Sequence, residues 1–469
     1  MAARDNHQIL TKGPIGRTLF KLSSQMLVGI FGMVAFSLVD TYFVGQLGAS
    51  ELAAMGYVLP VAMVIMGLTF GVGTGTATVV ARAIGQGDPE RVRRLTTDAL
   101  SLSLVLVAIL IGIGLATMDP VFRLLGAGPD TLPLIKEYMT IWYGGMIFLV
   151  VPMVGNSAIR ATGDARTPAT IMTVAFLINL ILDPILIFGL GPFPRLELAG
   201  AALATVVARA VTLVVSLHAL HWRHKLLTAT RPTWQQGLAS WRAVLHVGLP
   251  NGATNIVLPL GAGIVTRLAS DFGDAAVAAL GVASRIDMFA MTPVMALGAI
   301  MGPFVGQNWG AGNWQRVRHG VTGALRFCAA WGAGVAVLLA LVAAPMAALF
   351  NNDPEVVDYL ILYLALVPVG YGLRSTVNLA KMIMNSLYRP IPASIITLGQ
   401  MFLLYVPLAW VGAAMFGVAG LFAASALAGI IAGIWGWIWL HRMLREMAGA
   451  ARPSTDELVG ESIGESHPL

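Results

Sequence analysis

The sequence predicts an all-α polytopic membrane protein, with twelve transmembrane helices in two pseudo-symmetric six-helix lobes around a central cavity. Three observations carry that prediction. Of 469 residues, 57% are hydrophobic and 11% charged, with a mean hydropathy of +0.78. A soluble domain has about a quarter charged residues, so lipid must be the solvent for most of this surface. Twelve apolar runs approach or exceed the roughly 20 residues that a spanning helix needs. The chain also repeats itself at one fixed offset.

The runs fall at about 15–40, 51–81, 94–117, 131–155, 166–188, 197–220, 243–268, 275–306, 317–345, 355–383, 391–412 and 417–441. Runs above 25 residues imply tilt, kinks or projection beyond the bilayer. Turn chemistry separates them, as in Gly85-Gln86-Gly87-Asp88-Pro89, Gly126-Ala127-Gly128-Pro129, Gly189-Leu190-Gly191-Pro192 and Asn351-Asn352-Asp353-Pro354. The expected organisation is a cytoplasmic N-terminus (1–14), an N-lobe (15–222), a linker (223–240), a C-lobe (241–445) and a disordered, acidic tail (446–469).

Positive charge sets the orientation. Every second loop is basic, with Arg82, Arg91, Arg93 and Arg94 after the second run and Arg223, Lys225, Arg231 and Arg242 after the sixth. The alternate loops carry few cations, chiefly Arg123, Lys136, Arg195 and Arg267. The positive-inside rule places both termini in the cytoplasm of a multi-pass inner-membrane protein. An even number of spans requires the same sidedness. Net charge is +6, which in a soluble protein raises nucleic acid as a partner. Here the cations lie beside apolar runs, so anionic lipid explains them and no nucleic acid partner is expected. No short apolar core with a small-residue cleavage site marks a signal peptide.

Shifted by 225 residues, the chain matches itself without a gap from Gly48 to Arg93. Gly48 falls on Gly273, Gly56 on Gly281, Met63 on Met288 and Gly73 on Gly298. Gly85, Gly87, Arg91, Val92 and Arg93 fall on Gly310, Gly312, Arg316, Val317 and Arg318. Each half has an even number of spans, so both halves start on one side and the repeats are parallel, a transporter architecture.

Asp40 is the only acid of the first run, at its outer end. A carboxylate there is costly to bury and points to a task. Its counterpart at the 225 offset is Val265, so the halves differ in charge. Arg285 and Asp287 are intramembrane charges of the eighth run. At i,i+2 they do not face each other, so each needs its own partner, in a polar network or at the cavity. Arg209 and Arg374 also fall within runs, with cavity facing and lobe packing both open. The single cysteine, Cys328, excludes an intramolecular disulfide and a multi-cysteine metal site. His218, His221 and His224, beside Trp222, Arg223 and Lys225, read as an interfacial basic patch rather than a metal site. Gly71-Val72-Gly73-Thr74-Gly75 lacks the lysine of a phosphate-binding loop and reads as close helix packing. No nucleophile, base and orienter assemble, so no enzyme is expected.

Asp40-Thr41-Tyr42-Phe43-Val44-Gly45 with Leu47-Gly48, Gly85-Gln86-Gly87, Arg160-Ala161-Thr162-Gly163-Asp164 and Ala283-Ser284-Arg285-Ile286-Asp287 resemble the multidrug and toxic compound extrusion (MATE) family. Gly306-Gln307-Asn308-Trp309-Gly310-Ala311-Gly312 resembles its matching second turn. The resemblance covers nearly the whole chain. It implies a monomeric secondary active antiporter in the lipid bilayer, exporting cationic or amphiphilic small molecules by alternating access in exchange for H⁺ or Na⁺, without a cofactor. It further implies a cation site at Asp40, Asn179, Asp183 and Thr205, with Tyr138 as a hydrogen-bond partner of Asp40. Two carboxylates with amide and hydroxyl oxygens suit Na⁺; two repelling carboxylates equally suit one proton. Arg285, Asp287 and Tyr138 are further candidates for coupling or the substrate cavity. Two departures stand out. Gln25 replaces the family's first-helix proline, and acids are missing from the seventh run and from the tenth beyond Asp358. The second favours the branch resembling DNA-damage-inducible F-type transporters. A lipid-linked oligosaccharide flippase is the alternative of related architecture.

Overall fold

The computed structural model describes residues 10–230, 233–350 and 353–450. The first nine residues, Arg231-Pro232 of the expected linker, the Asn351-Asn352 turn and residues 451–469 lie outside the described residues, while 446–450, the start of the expected tail, continue the last helix. Helices α1 (Ile15–Gly45), α2 (Ala49–Gly85) and α3 (Pro89–Ala116) are the first three spans. A short α4 (Met118–Leu124) follows, and the fourth span is α5 (Thr131–Gly144) with α6 (Met146–Ala161), bent by 47° at their junction. Helices α7 (Arg166–Phe188) and α8 (Glu197–His218) complete the first half.

The second half runs α9 (Trp234–Ser270), α10 (Asp274–Gly310) and α11 (Trp314–Phe350). Its tenth span is α12 (Pro354–Leu366), a 3₁₀ turn over Val367–Gly370, and α13 (Tyr371–Ser386). Then come α14 (Pro390–Leu398), a π segment over Gly399–Tyr405, and α15 (Val406–Ala450). Among the described residues nine helices are long and apolar enough to cross a membrane, or ten with the bent pair as one span. Helix α1, 31 residues long, adds the first span. Gly417 (φ 62°) divides 390–447 into two, and the backbones of Gly412 and Gly420 touch across that hairpin. Twelve spans result.

Helix ends follow local chemistry. Asp88 accepts from Arg91 N–H at 2.9 Å and Pro89 occupies the first helical position of α3. Thr233 and Gln236 form a capping box, so α9 begins inside the expected linker. Gly189 (φ 73°) ends α7 in the left-handed conformation.

Four apolar clusters organise the bundle. One joins Val44, Ala54, Phe122 and Tyr138 within the first half, and another joins Val265, Ala276, Leu360 and Phe422 within the second. The other two cross between halves. Leu19, Leu22 and Met26 of α1 pack with Val294 and Ile300 of α10, and Val79 and Val80 of α2 with Val244 of α9. The first of these also holds Leu10, Leu440 and Met443, so both ends of the described chain lie at the end of the bundle where the halves meet.

Glycines set this closure. A Cβ at Gly71 or Gly75 of α2 would overlap the carbonyls of Gly248 and Val244 on α9, so the Gly71–Gly75 stretch packs helices. Gly85 lies against the backbone of Gln307, and Gly310 against that of Arg82. Arg82 and Gln307 are themselves 225 residues apart, so α2 and α10 cross as a pseudo-symmetric pair. The halves close at the terminal end and part towards the other, leaving a cleft.

Candidate functional site

Asp40, Asn179 and Asp183 are buried at 8%, 0% and 0% exposure, in an apolar surrounding where each needs a polar partner. Asn179 and Asp183 sit one turn apart on α7, and the amide of Asn179 donates to Asp183 Oδ1 at 2.8 Å. Asp40 of α1 and Asp183 interact through their charges. One oxygen of each remains without a protein partner: Asp40 Oδ1, Asn179 Oδ1, Asp183 Oδ2 and, on α8, Thr205 Oγ1. Hydroxyls of most helical threonines here bond the preceding turn, as Thr69 and Thr76 do; that of Thr205 does not. The four sequence-predicted residues thus each present an orphaned oxygen, a donor set suited to a hard cation or a proton. Tyr138 of α5 is 4% exposed and lies in the field of both carboxylates. Among the described residues no hydrogen bond joins it to Asp40.

A pocket lies one turn from this cluster, towards the terminal end. On α1, Asp40 is followed down the helix by Phe36 and Met33 at i−4 and i−7. On α7, Asn179 is followed by Ala175 and Met172, and on α8 Arg209 stands four residues beyond Thr205. Phe36, Met33, Ala175, Met172 and Arg209 all line the pocket, so three helices carry the polar cluster and the pocket on one face each, about 5.4 Å apart. Helix α2 adds Met66 and Phe70, and α6 adds Met153, Asn156 and Arg160. The Arg209 guanidinium lies over the Phe36 ring, 4.8 Å from its centroid, and acts electrostatically on Asp40. The i−4 and i−7 spacing from Asp40 is the sequence signal that marks Phe36 and Met33.

The MatE family model matches residues 26–185 and 250–411. The chain belongs to the MatE family. The two matches start 224 and end 226 residues apart, bracketing the repeat at 225. The FAD transporter of Shewanella oneidensis is 39% identical over 431 residues, covering 92% of this chain and 95% of that one. Multidrug export protein MepA of Staphylococcus aureus is 22% identical over 353 residues, 74% of this chain and 76% of that one. The crystal structure of the Vibrio cholerae MATE transporter VcmN in the bent form superposes with a TM-score of 0.87 at 31% identity, over 92% of this chain and 97% of that one. This MatE protein is therefore a membrane transporter and not an enzyme.

Its second lobe holds a polar cluster that sequence reasoning missed. The seventh run has no acid and the tenth carries Glu355 and Asp358 only in its first turns, but Asp287 of α10 supplies a carboxylate facing the middle of the tenth span. Tyr363 O–H donates to Asp287 Oδ2 at 2.9 Å, Tyr371 O–H donates to Oδ1, and Arg374 reaches Oδ2 at 3.4 Å. The C-lobe carboxylate is saturated, unlike those of the N-lobe. Arg285 points elsewhere: it is exposed, four residues from Phe289, whose ring stacks on Phe31 of α1 across the cleft. Lys381 bonds Asn255 Oδ1 at 2.9 Å. His218 and His221 contact Trp222, and His224 pairs with Asp164 at 3.2 Å.

Proposed function

We propose that this MatE protein is a secondary active antiporter of the cytoplasmic membrane that exports amphiphilic small molecules in exchange for inward H⁺ or Na⁺. Both termini are taken as cytoplasmic, so the cleft faces outward. The observation that carries the reading is the set of four orphaned oxygens on Asp40, Asn179, Asp183 and Thr205, one turn from the pocket. A cation between Asp40 and Asp183 relieves their repulsion and draws α1 towards α7. Phe36 and Met33 share the face of Asp40, so the pocket wall moves with it and substrate is released outward.

Gln25 does not supply a proline hinge. Leu19, Leu22 and Met26 are packed on α10, and a Cβ at Gly29 would stand 2.8 Å from the Ala169 backbone. The inner part of α1 is thus fixed, and the moving part is its outer half, beyond Gly32.

For the substrate, likeness to the S. oneidensis FAD transporter over nearly its full length supports flavin adenine dinucleotide or an amphiphile of that kind. A second reading, cationic or amphiphilic drugs, is favoured by the adaptable thioethers of Met33, Met66, Met153 and Met172 in the pocket. The test is export into everted vesicles, with ΔpH and ΔpNa imposed separately, for wild type and Asp40→Asn, using FAD and a cationic dye in turn. Gradient-driven export lost in the variant is the expected result, with the driving ion named by the effective gradient. Undiminished export by Asp40→Asn would overturn the coupling assignment.

A further inference from the structure

Two arginines line the N-lobe pocket with no acid among its lining residues. Neither Arg160 nor Arg209 has a carboxylate within ion-pairing distance among the described residues. Each guanidinium carries five N–H donors. Arg160 uses one on Ser157 Oγ at 2.7 Å. The Arg209 guanidinium donates no hydrogen bond among the described residues, and its Nε is buried without a partner. Helix packing alone does not account for this. Both side chains are half-buried, and an arginine held for structure away from bulk water is normally paired, because an unpaired charge out of water is costly. Position at the end of α6 explains a cation at 160 through the helix dipole, but not one turned into a cavity. The Arg209 guanidinium lies over the Phe36 ring, a contact that uses none of its N–H donors.

We propose that Arg160 and Arg209 form an anion subsite that holds the phosphate groups of an amphiphilic substrate, while Phe36, Phe70 and the pocket methionines take its planar ring. Planar guanidinium forks match phosphate oxygens in pairs, and a two-arginine subsite selects a phosphate ester over an uncharged ring compound of the same shape. The inference deepens the export reading above and rests on it: it makes these arginines specificity determinants one turn from Asp40, with Arg209 also in that carboxylate's field.

The test is equilibrium binding of FAD, FMN and riboflavin to the full chain in nanodiscs, followed by flavin fluorescence, for wild type, Arg160→Ala, Arg209→Ala and Arg209→Lys. Melting temperature and gradient-driven export are measured alongside. Wild type should bind FAD and FMN more tightly than riboflavin. Each alanine variant should lose about tenfold or more for the phosphate esters, the size of a lost charged hydrogen bond, with riboflavin within about twofold. Arg209→Lys should recover part of the loss. Equal losses for all three flavins in folded variants would make the arginines structural and overturn the proposal. So would unchanged FAD affinity in both alanine variants, even with wild-type FAD export intact, which would leave the antiporter reading standing. No phosphate-ester binding by wild type would overturn it too, and export of the cationic dye would then decide the antiporter reading separately.

Discussion

Asp164 shows how one residue fastens three elements. It accepts from Arg166 N–H at 2.9 Å, Thr167 N–H at 3.1 Å and Thr167 Oγ at 2.6 Å, capping α7. It also pairs with His224 and Arg223 beyond α8, at 3.2 and 3.6 Å. Burial pushes its carboxyl up, but the bonds from His224 and Thr167 outweigh that and hold it well below the usual carboxylate range. A carboxyl depressed in the folded state contributes stability above its unfolded value of about 3.9. That contribution is lost as pH falls through the lower folded value. Asp164→Asn should therefore cost about 1.5–3 kcal/mol at pH 7, and the difference in melting temperature from wild type should shrink only below about pH 4. A difference unchanged down to pH 3 would show that the charge is not what holds the loop. The motif around Asp164 was legible in the sequence; its partner His224 was not, because no local spacing links residues 60 apart in the chain. Asp287 teaches the same limit. Its mid-span position announced a need for partners, but Tyr363 and Tyr371 are ordinary core residues until α10 is packed against α12 and α13.

At the scale of elements, the segment before α1 is the part the sequence disguised most. Polar as far as Lys12, it reads as a solvated terminus, and a single leucine has no periodicity to betray burial. Leu10 is nonetheless 0% exposed, wedged against Gly163 and Ala165 of the first half and packed with the second. Asn308 Nδ2 donates to its carbonyl at 3.0 Å. Arg316 donates to the carbonyls of Leu10, Lys12 and Gly13 at 3.3, 3.1 and 2.8 Å. Beside it, Gln307 of α10 donates to the Ala161 carbonyl at the end of α6 at 2.6 Å. The strap thus bridges the two lobes where they close. Leu10→Ala should cost about 2–5 kcal/mol of that closure, and Arg316→Ala a comparable share through three lost charged bonds. Amide hydrogen exchange over Ala81–Gly87 and Phe304–Gly312 should speed up in both variants while exchange in α12 stays at the wild-type rate. Exchange unchanged at the crossing would mean that the strap rests on the closure without supporting it.

For the whole molecule, two lobes followed from the repeat, since Gly85 and Gly310 stand at one offset. Which end of the cleft is open did not follow, because apolar runs of equal length carry no record of where the lobes touch. Only the packed helices reveal that cross-lobe contacts gather at the terminal end. That asymmetry makes the proposed alternating access measurable. Cys328 is the only cysteine and is fully buried, so spin labels can be introduced without removing it. Ser50→Cys with Ala275→Cys places one label pair at the open end on repeat-equivalent positions. Gln86→Cys with Ala311→Cys places another at the closed end. A two-state exchange about a fixed site requires the two distances to change in opposite directions and in the same fraction of molecules. Adding the exported substrate without a gradient should shift that fraction, and adding the coupling ion should shift it the other way, because the two ligands must bias one equilibrium in opposite senses. Asp40→Asn should keep the substrate response and lose the ion response. An opening at the Gln86–Ala311 end without closure at the Ser50–Ala275 end would describe a channel, and would remove the basis for exchange.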